Sequence, residues 1–382
     1  MDKLTLAFDI GEFRERLSRL CGALASHGVD AAIVSSWENL YYLQGIITMY
    51  TRSRVVDPMP LVVGRGVDEV FFVPTRMFSI ASELEHPYIA HVQPYDGPHP
   101  WKTIANIIEK LGLANGRIAV EYRNLVVSHL QKLRGFLPEA HFIDCSPIIN
   151  EIRSVKSAKE QEYLRKSCEI TDEVLEITMN DLLKPRKTEM EVAGEMIKAM
   201  IDAGAEGASF HPQVLTGYRS ALLNISSSDK LIEESDVVML DFGACYKGYC
   251  SDTARPVILG KSTTEEQRRA CDAALEITLA ALKAVKPGVK ASEIHAAAVS
   301  RARELGYEKN LRHSSGHGIG LNVWEPPTLA NFDDTVIKEG MTLAVEQGVY
   351  FDRFGFRFEQ NVIVTKNGYE PMFKAEMKLA EV

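Results

Sequence analysis

The stretch LDFGACYKGYCSDTARP, residues 240–256, has the pattern of a β-hairpin. An apolar strand at 237–242 leads into a YKG turn, and residues 249–256 return. Asp241 and Asp252 then fall roughly opposite each other on strands that otherwise look buried. Because like charges directly opposite on a sheet are destabilising, these two carboxylates need a positively charged partner.

Three further polar residues stand downstream in settings that are unusual for such groups. His317 is framed by glycines in RHSSGHGIG, and glycines allow close approach of the backbone. Glu346 ends an apolar strand in MTLAVEQGVYF, and Glu359 lies inside another in GFRFEQNVIVT. Acids within apolar strands are rarely buried unless they are paired or bind a cation, so these positions indicate a cation site.

The candidate ligands are four carboxylates and one imidazole. Oxygen ligands with a single nitrogen suit manganese, cobalt, iron(II) or zinc rather than a thiolate site. Four carboxylates exceed what one dication needs, whereas two dications roughly 3.5–4 Å apart would balance them. For the two aspartates taken alone, a solvated hairpin face is the alternative.

The order of these motifs resembles the pita-bread metallopeptidase family, which includes methionine aminopeptidase, Xaa-Pro dipeptidase, aminopeptidase P and creatinase. An aspartate is followed eleven residues on by a second, and then by GHGIG, EQGVY and RFE. The resemblance extends from about residue 157 to the end. It implies two divalent ions (manganese, cobalt, zinc or iron) held by Asp241, Asp252, His317, Glu346 and Glu359.

Outside the ligand set, the sequence departs from the Xaa-Pro members of that family. All five ligand positions are intact, unlike those of creatinase, and His313 matches a further histidine near the metals. Two other histidines are replaced, by Asn224 in TGYRSALLN and by Trp324 in GIGLNVWEPP. Asn cannot shuttle protons near neutral pH, and Trp offers a flat face for stacking or cation–π contact. The pattern indicates intact water activation with a changed substrate.

The resemblance also implies roles for individual residues. Glu346 is expected to take a proton from the attacking water and return it to the leaving nitrogen. His313 is expected to hydrogen-bond the developing oxyanion, and Arg357 to orient Glu359. The candidates for substrate contact are Asn224, Trp324, Tyr50, Arg52 and Arg54.

The two arginines bear on quaternary structure. In creatinase and its relatives, an arginine in about this place reaches the active site of the partner subunit, which predicts a homodimer here. Forked guanidinium donors suit a substrate carboxylate. Exposed loop arginines are the alternative for Arg52 and Arg54, and a packed aromatic is the alternative for Tyr50.

Two domains are predicted from the order of elements along the chain. Residues 1–154 alternate strands and helices, as in a small α/β domain, and resemble the creatinase and prolidase N-terminal domain through NLYYLQG. The capping-box sequence SAKE then opens a long helix. Residues 155–382 contain two helix pairs and two groups of strands, which predicts an α/β (α+β) pita-bread catalytic domain.

The composition of the chain narrows the classes of binding partner that we expect. A net charge of −9 and a pI of about 5.7 argue against nucleic-acid and membrane partners. The sequence has no signal-peptide pattern and no membrane-length apolar run, and its six scattered cysteines lack a CxxC motif. A cytoplasmic protein with thiols is therefore expected. Cys250 shares strand parity with Asp252, although a small buried filler is its commoner role.

The sequence leaves several functions open. The favoured interpretation is a dinuclear-metal hydrolase that cleaves a C–N bond in a small carboxylated metabolite. The alternatives are an Xaa-Pro dipeptidase or aminopeptidase, and a metal-dependent lyase resembling dimethylsulfoniopropionate lyase. A non-enzymatic binding module is disfavoured, since such a module has no need of five intact ligands. The expected substrate is thus a small molecule or a dipeptide.

Overall fold

The computed structural model describes residues 6–45, 59–79, 89–97, 99–260 and 263–382. Contacts divide the chain into two compact units, Met1–Arg153 and Ser154–Val382. Three of the predicted substrate-contact residues, Tyr50, Arg52 and Arg54, lie outside the described residues.

The N-terminal unit is built on a six-stranded mixed sheet in the order β4-β3-β2-β1-β5-β6. Its strands are β1 (Ala31–Val34), β2 (Leu61–Val63), β3 (Val70–Phe72), β4 (His91–Val92), β5 (Arg117–Val120) and β6 (His141–Asp144). The helices that lie wholly within the described residues of this unit are α1 (Ile10–Ser26), α2 (Trp37–Gln44), α3 (Trp101–Lys110), α4 (Val127–Phe136) and α5 (Ser146–Ser154). Trp101, Ile104 and Ile108 of the amphipathic α3 pack on β1 and β5, which forms the core of this unit.

Two helix pairs cover the sheets of the C-terminal unit. They are α6 (Ala158–Ile177) with α7 (Glu189–Asp202), and α8 (Glu265–Ala284) with α9 (Ala291–Leu305). The predicted capping box at the start of α6 is confirmed, because the Ser157 side chain accepts from the Glu160 amide and the Glu160 side chain accepts in return. Each pair buries its apolar face on strands, which gives the unit two hydrophobic cores.

Three sheets lie between these helices. The four-stranded sheet has the order β18-β12-β9-β8, the five-stranded sheet β14-β13-β15-β16-β17, and the small sheet β11-β10-β7. Their strands are β7 (Gly207–Ala208), β8 (Gln213–Thr216), β9 (Val237–Phe242), β10 (Ala244–Tyr246), β11 (Tyr249–Cys250), β12 (Thr253–Ile258), β13 (Gly316–Gly318), β14 (Glu325–Thr328), β15 (Thr342–Tyr350), β16 (Gly355–Thr365), β17 (Gly368–Pro371) and β18 (Ala380–Glu381). Strand β12 packs against β16, so the two larger sheets meet along these strands.

The predicted hairpin forms, but the predicted register is wrong by two residues. Asp241 pairs with Ala254, so Asp252 lies diagonally from Asp241 on the same face rather than opposite it. The cause is a break in the hairpin at Gly243. A Cβ atom there would lie 1.8 Å from the Ser251 carbonyl oxygen, so only glycine allows this close approach.

Candidate metal centre

Three buried side chains from three different strand regions converge in the C-terminal unit. Asp252, just before β12, His317 on β13 and Glu359 on β16 each offer a ligand atom, and these atoms lie within 4.8 Å of one another. His317 Nε2 lies 3.7 Å from Asp252 Oδ2. The apolar strands around them keep the group out of water.

The two remaining predicted ligands lie beside this trio. Glu346 on β15 is directly opposite Glu359 on β16, and its Oε1 is 4.0 Å from His317 Nε2. Asp241 on β9 is close enough to Asp252 for its charge to raise the pKa of Asp252. The structure thus brings all five predicted side chains into one carboxylate cluster; that they bind metal remains a prediction.

The acids of the cluster outnumber the positive charges beside them. Burial raises the pKa of Asp241 to about 6, and burial together with neighbouring carboxylates raises the pKa of Asp252 and of Glu359 well above the ordinary range. Within the described residues, Asp252 Oδ1 and Glu359 Oε1 are buried without a hydrogen-bond partner. Orphaned oxygens and crowded acids are the features that a divalent cation would satisfy, so the donor set fits such ions.

Glu346 differs from the other acids of the cluster. Burial alone would raise its pKa, but interactions with His313, with the permanently charged Arg357 and with His317 outweigh burial and hold the pKa of Glu346 below its usual value. Its Oε2 lies 3.8 Å from His313 Nδ1. Glu346 is therefore the member of the cluster that stays ionised most readily near neutral pH.

His313 is oriented by two neighbours on either side of its ring. Nδ1 lies 2.7 Å from the Ser314 carbonyl oxygen, which can only accept, so Nδ1 carries the proton. Nε2 lies 2.8 Å from the Tyr350 hydroxyl and therefore accepts from it. Burial lowers the pKa of His313, which favours this neutral form. Sequence reasoning missed Tyr350, although it closes the EQGVY motif that holds Glu346.

Arg357 orients a different carboxylate from the one predicted. Its guanidinium forms a buried ion pair with Asp241, and its Nε lies 3.9 Å from Glu346 Oε2. The prediction that it orients Glu359 is wrong, because its ion pair reaches across to β9 rather than along its own strand. Asn361, also missed, accepts the Asp252 amide at 2.9 Å and so fixes that backbone.

The two replaced histidine positions lie in different surroundings. Trp324 is 65% exposed, and its ring centroid is 5.4 Å from that of His317. Its loop is anchored by a buried ion pair of 3.2 Å between Lys156 and Glu325. Asn224 is exposed and has a left-handed backbone, with φ of 54°. Trp324 thus adjoins the carboxylate cluster directly, through His317.

Comparison with known protein families decides the identity of this arrangement. The model of metallopeptidase family M24 matches residues 162–366, and that of the creatinase/prolidase N-terminal domain matches residues 16–155. The chain belongs to metallopeptidase family M24. It is thus a metal-dependent hydrolase that acts on C–N bonds, and the non-enzymatic alternative is wrong.

Individual relatives match this family member along nearly its whole length. The Xaa-Pro dipeptidase of Pyrococcus horikoshii is 30% identical over 366 residues, which cover 96% of this chain and 98% of that protein. The Xaa-Pro dipeptidase of Lactobacillus helveticus is 32% identical over 358 residues, covering 93% and 95%. The solved structure of the Xaa-Pro dipeptidase from Bacillus anthracis superposes with a TM-score of 0.88 at 28% identity, covering 97% and 100%.

These matches also confirm the predicted fold class. A small creatinase-type N-terminal domain precedes a pita-bread domain in this M24 protein, as in the prolidases of known structure. Among the helices within the described ranges, none is long and apolar enough to cross a membrane.

Proposed function

We propose that this M24 metallopeptidase hydrolyses dipeptides, with Xaa-Pro dipeptides as the first substrates to test. The observation that carries the proposal is the buried carboxylate cluster, in which Asp252 and Glu359 each keep one oxygen without a partner beside His317. The Xaa-Pro dipeptidases to which the chain is similar support this substrate class over the small metabolite favoured from sequence.

The same proposal assigns the metal site. The residues that would hold about two divalent ions, manganese, cobalt, zinc or iron, are Asp241, Asp252, His317, Glu346 and Glu359. Such ions, when bound, polarise a substrate carbonyl and lower the pKa of a water. Four carboxylates would match the charge of two dications, which explains why the chain tolerates them together.

Glu346 is the proposed general base and acid. Its carboxylate is ionised because neighbouring positive charge lowers its pKa, so it can accept the proton of the attacking water. It can then return that proton to the leaving nitrogen, since both transfers take place beside the same carboxylate. Replacing it with Gln keeps the shape and removes this proton carrier.

His313 and Tyr350 are proposed to act as a unit. In the observed arrangement both ring nitrogens of His313 are engaged, Nδ1 with Ser314 and Nε2 with Tyr350. To donate to a developing oxyanion, His313 must gain a proton at Nε2 while the Tyr350 hydroxyl turns away. The Tyr350 hydroxyl thus sets the protonation state from which His313 works.

A second candidate, a small carboxylated metabolite, is favoured by the two replaced histidines. The exposed indole of Trp324 beside His317 suits an apolar or cationic group, and Asn224 offers hydrogen bonds without proton transfer. Lyase chemistry of the dimethylsulfoniopropionate type would use the same surroundings. This candidate predicts weak activity on proline dipeptides.

A panel of substrates separates the candidates. Purified protein loaded with manganese, cobalt or zinc is assayed on Ala-Pro, Gly-Pro and a proline tripeptide, and on ectoine, creatine and sulfonium or betaine compounds. We expect a kcat/KM for a proline dipeptide in the ordinary enzyme range, about 10⁴ M⁻¹s⁻¹ or above. Turnover confined to the small metabolites would contradict the dipeptidase proposal. The Glu346→Gln protein is the matched control for background hydrolysis.

We further propose that the enzyme is a cytoplasmic homodimer in which Arg52 or Arg54 of one chain serves the partner's site. Forked donors that neutralise a substrate carboxylate support this role. Mixing an Arg52→Ala, Arg54→Ala protein with an Asp241→Asn protein should then restore activity through mixed dimers. Absence of rescue in chains shown to exchange subunits would count against a shared site.

A further inference from the structure

Two cysteines face each other in the hairpin that joins β10 to β11. Cys245 pairs with Cys250, and the adjacent Tyr246–Tyr249 pair closes a two-residue turn. The turn residues Lys247 and Gly248 both have positive φ, 49° and 80°, as in the tight turns that hairpins favour. The tight turn fixes the register, so the two cysteines cannot slip past each other.

The backbone hydrogen bonds show whether Cys245 and Cys250 form a hydrogen-bonded or a non-hydrogen-bonded pair of the antiparallel ladder. The Cys245 carbonyl accepts from the Glu206 amide at 2.8 Å, and the Cys250 amide donates to the Gly320 carbonyl at 2.8 Å. These groups point away from the opposite strand, so the cysteines form a non-hydrogen-bonded pair, in which the Cα atoms lie about 4.5 Å apart. Disulfides span Cα separations of roughly 4.4–6.8 Å, so this pair is within reach of one.

Both side chains also lie on one face of the hairpin. Cys245 and Cys250 belong to one small apolar cluster with Ile319 and Ala344, and each is 5% exposed. In the structure both are thiols. Two thiols on the same face of a fixed register need little backbone movement to meet.

We propose that Cys245 and Cys250 form a reversible cross-strand disulfide, a redox modification site. The oxidant is a small-molecule disulfide such as oxidised glutathione. One cysteine thiolate attacks it, releasing one thiol and forming a mixed disulfide; the other cysteine then displaces the second thiol. Two cysteines are oxidised, one disulfide is reduced to two thiols, and the two protons pass to the released thiols. Small thiols can reverse both exchange steps, so the cross-link is reversible.

The site is coupled to the carboxylate cluster through the chain. Cys250 precedes Asp252 by two residues, and between them the Ser251 hydroxyl contacts Thr171 Oγ1 at 2.8 Å. The Cys250 amide bonds to Gly320, close to His317 in sequence. Even a small shift of Cys250 on forming the disulfide is passed along the chain to Asp252 and weakens metal binding, a consequence that rests on the proposed metal site.

The sequence makes the disulfide easy to detect. Trypsin cuts after Lys247, so Cys245 and Cys250 fall in separate peptides, 231–247 and 248–261. The full-length, metal-free protein is equilibrated with mixtures of reduced and oxidised glutathione, quenched with acid, alkylated and digested. We expect the two peptides to be joined, and the thiols titrated in denatured protein to fall from six to four. Dithiothreitol should restore all six.

Matched variants identify the pair. Cys245→Ser and Cys250→Ala should each abolish the cross-link, whereas Cys271→Ser, in α8, should leave it intact. A cross-link that joins other cysteines, or glutathione adducts without any cross-link, would overturn the proposal. Because this readout is the mass of a peptide, its result does not depend on whether the enzyme is a dipeptidase.

The coupling has a separate readout. Manganese titration of the oxidised and reduced proteins should show an affinity weaker by roughly 10-fold or more after oxidation, the scale of changes just outside a ligand set. The Cys250→Ala protein should not respond to the oxidant. Equal affinities in the cross-linked and reduced proteins would overturn the coupling to Asp252.

Discussion

Each unit of the protein contains a buried carboxylate site, and the negative charge of the two sites is compensated in opposite ways. In the N-terminal unit, Glu121 is 3% exposed, and both of its oxygens accept hydrogen bonds, from the Ser35 and Ser36 amides and the Asn39 side chain. In the C-terminal unit, the four acids of the carboxylate cluster face one another, and two of their oxygens have no partner within the described residues.

The difference shows how a buried acid can be interpreted. Neutral donors aimed at Glu121 stabilise one negative charge and leave no room for a ligand, so that site is structural. Within the part of the chain that the structure describes, the only cationic side chain in contact with the acids of the cluster, apart from its histidines, is Arg357. Its remaining negative charge requires cations from outside the chain. The number of donors per oxygen, rather than burial, therefore separates a structural acid from a metal ligand.

The largest expected effect is that of Asp252→Asn. The change removes one ligand charge and should lower kcat/KM by at least roughly 10²–10³, the scale of losing one electrostatic group at a reacting centre. Metal content should fall with it, while the metal-free variant should be no less stable than wild type, because a repulsive buried charge is gone. Steady-state kinetics with chelated and metal-loaded protein checks this. A variant that keeps its metal and its rate would refute the ligand assignment.

Asn361→Ala should have a smaller effect on the same site. Its side chain holds the Asp252 amide, so its loss lets the ligand backbone move. Metal affinity is expected to fall roughly 10–100-fold, with kcat at saturating metal less affected. Isothermal titration with manganese measures this. An unchanged affinity would show that the Asp252 backbone is fixed by other contacts.

Glu121→Gln tests the structural role of the buried carboxylate in the N-terminal unit. The glutamine NH2 group would replace one of the two accepting oxygens and face a donor there, so we expect the free energy of unfolding to fall by about 1–3 kcal/mol. Metal content and affinity should stay at wild-type values. Urea unfolding and metal analysis together check this prediction, and loss of metal would show that the two sites are not independent.

The smallest expected effect is the change in the stability of the metal-free protein with pH. In the metal-free protein, burial raises the pKa of Asp241 to about 6, and burial together with neighbouring carboxylates raises those of Asp252 and Glu359 well above the ordinary range. The folded chain then binds protons more tightly than the unfolded chain. This contribution to stability should therefore grow as pH falls from about 7 towards about 4, and shrink as pH rises.

Metal-loaded protein should show the opposite trend, because protons compete with metal for the carboxylates. Unfolding at pH 5 and pH 7.5, with and without chelator, measures both trends. Asp252→Asn is the control for titrations elsewhere in the chain. Parallel pH profiles for chelated wild type and Asp252→Asn would contradict the raised pKa of Asp252.

Some features of this site could be predicted from the sequence, and others required the three-dimensional structure. The five clustered side chains were predictable because each is a charged or imidazole group in an apolar or glycine-rich strand, a signal carried by local sequence. The register of the hairpin was not, since the two-residue shift arises where Gly243 packs against the Ser251 carbonyl.

Contacts between strands distant in sequence were equally beyond prediction. The partner of Arg357 is on β9, more than a hundred residues earlier, so local sequence gives no signal for it. The hydrogen bond from Tyr350 to His313 depends likewise on how β15 lies beside the loop before β13. Side-chain chemistry is readable from sequence, whereas pairings set by packing require the three-dimensional structure.

The most direct test of the central claim is the metal content of the purified chain. Protein expressed with manganese, cobalt or zinc, passed over a chelating column to remove loose ions, is measured by plasma mass spectrometry against its protein concentration. We predict about two divalent ions per chain for wild type and Glu121→Gln, and about one or none for Asp252→Asn. A wild-type chain that is folded and hydrolyses its substrate with no bound metal would contradict the account.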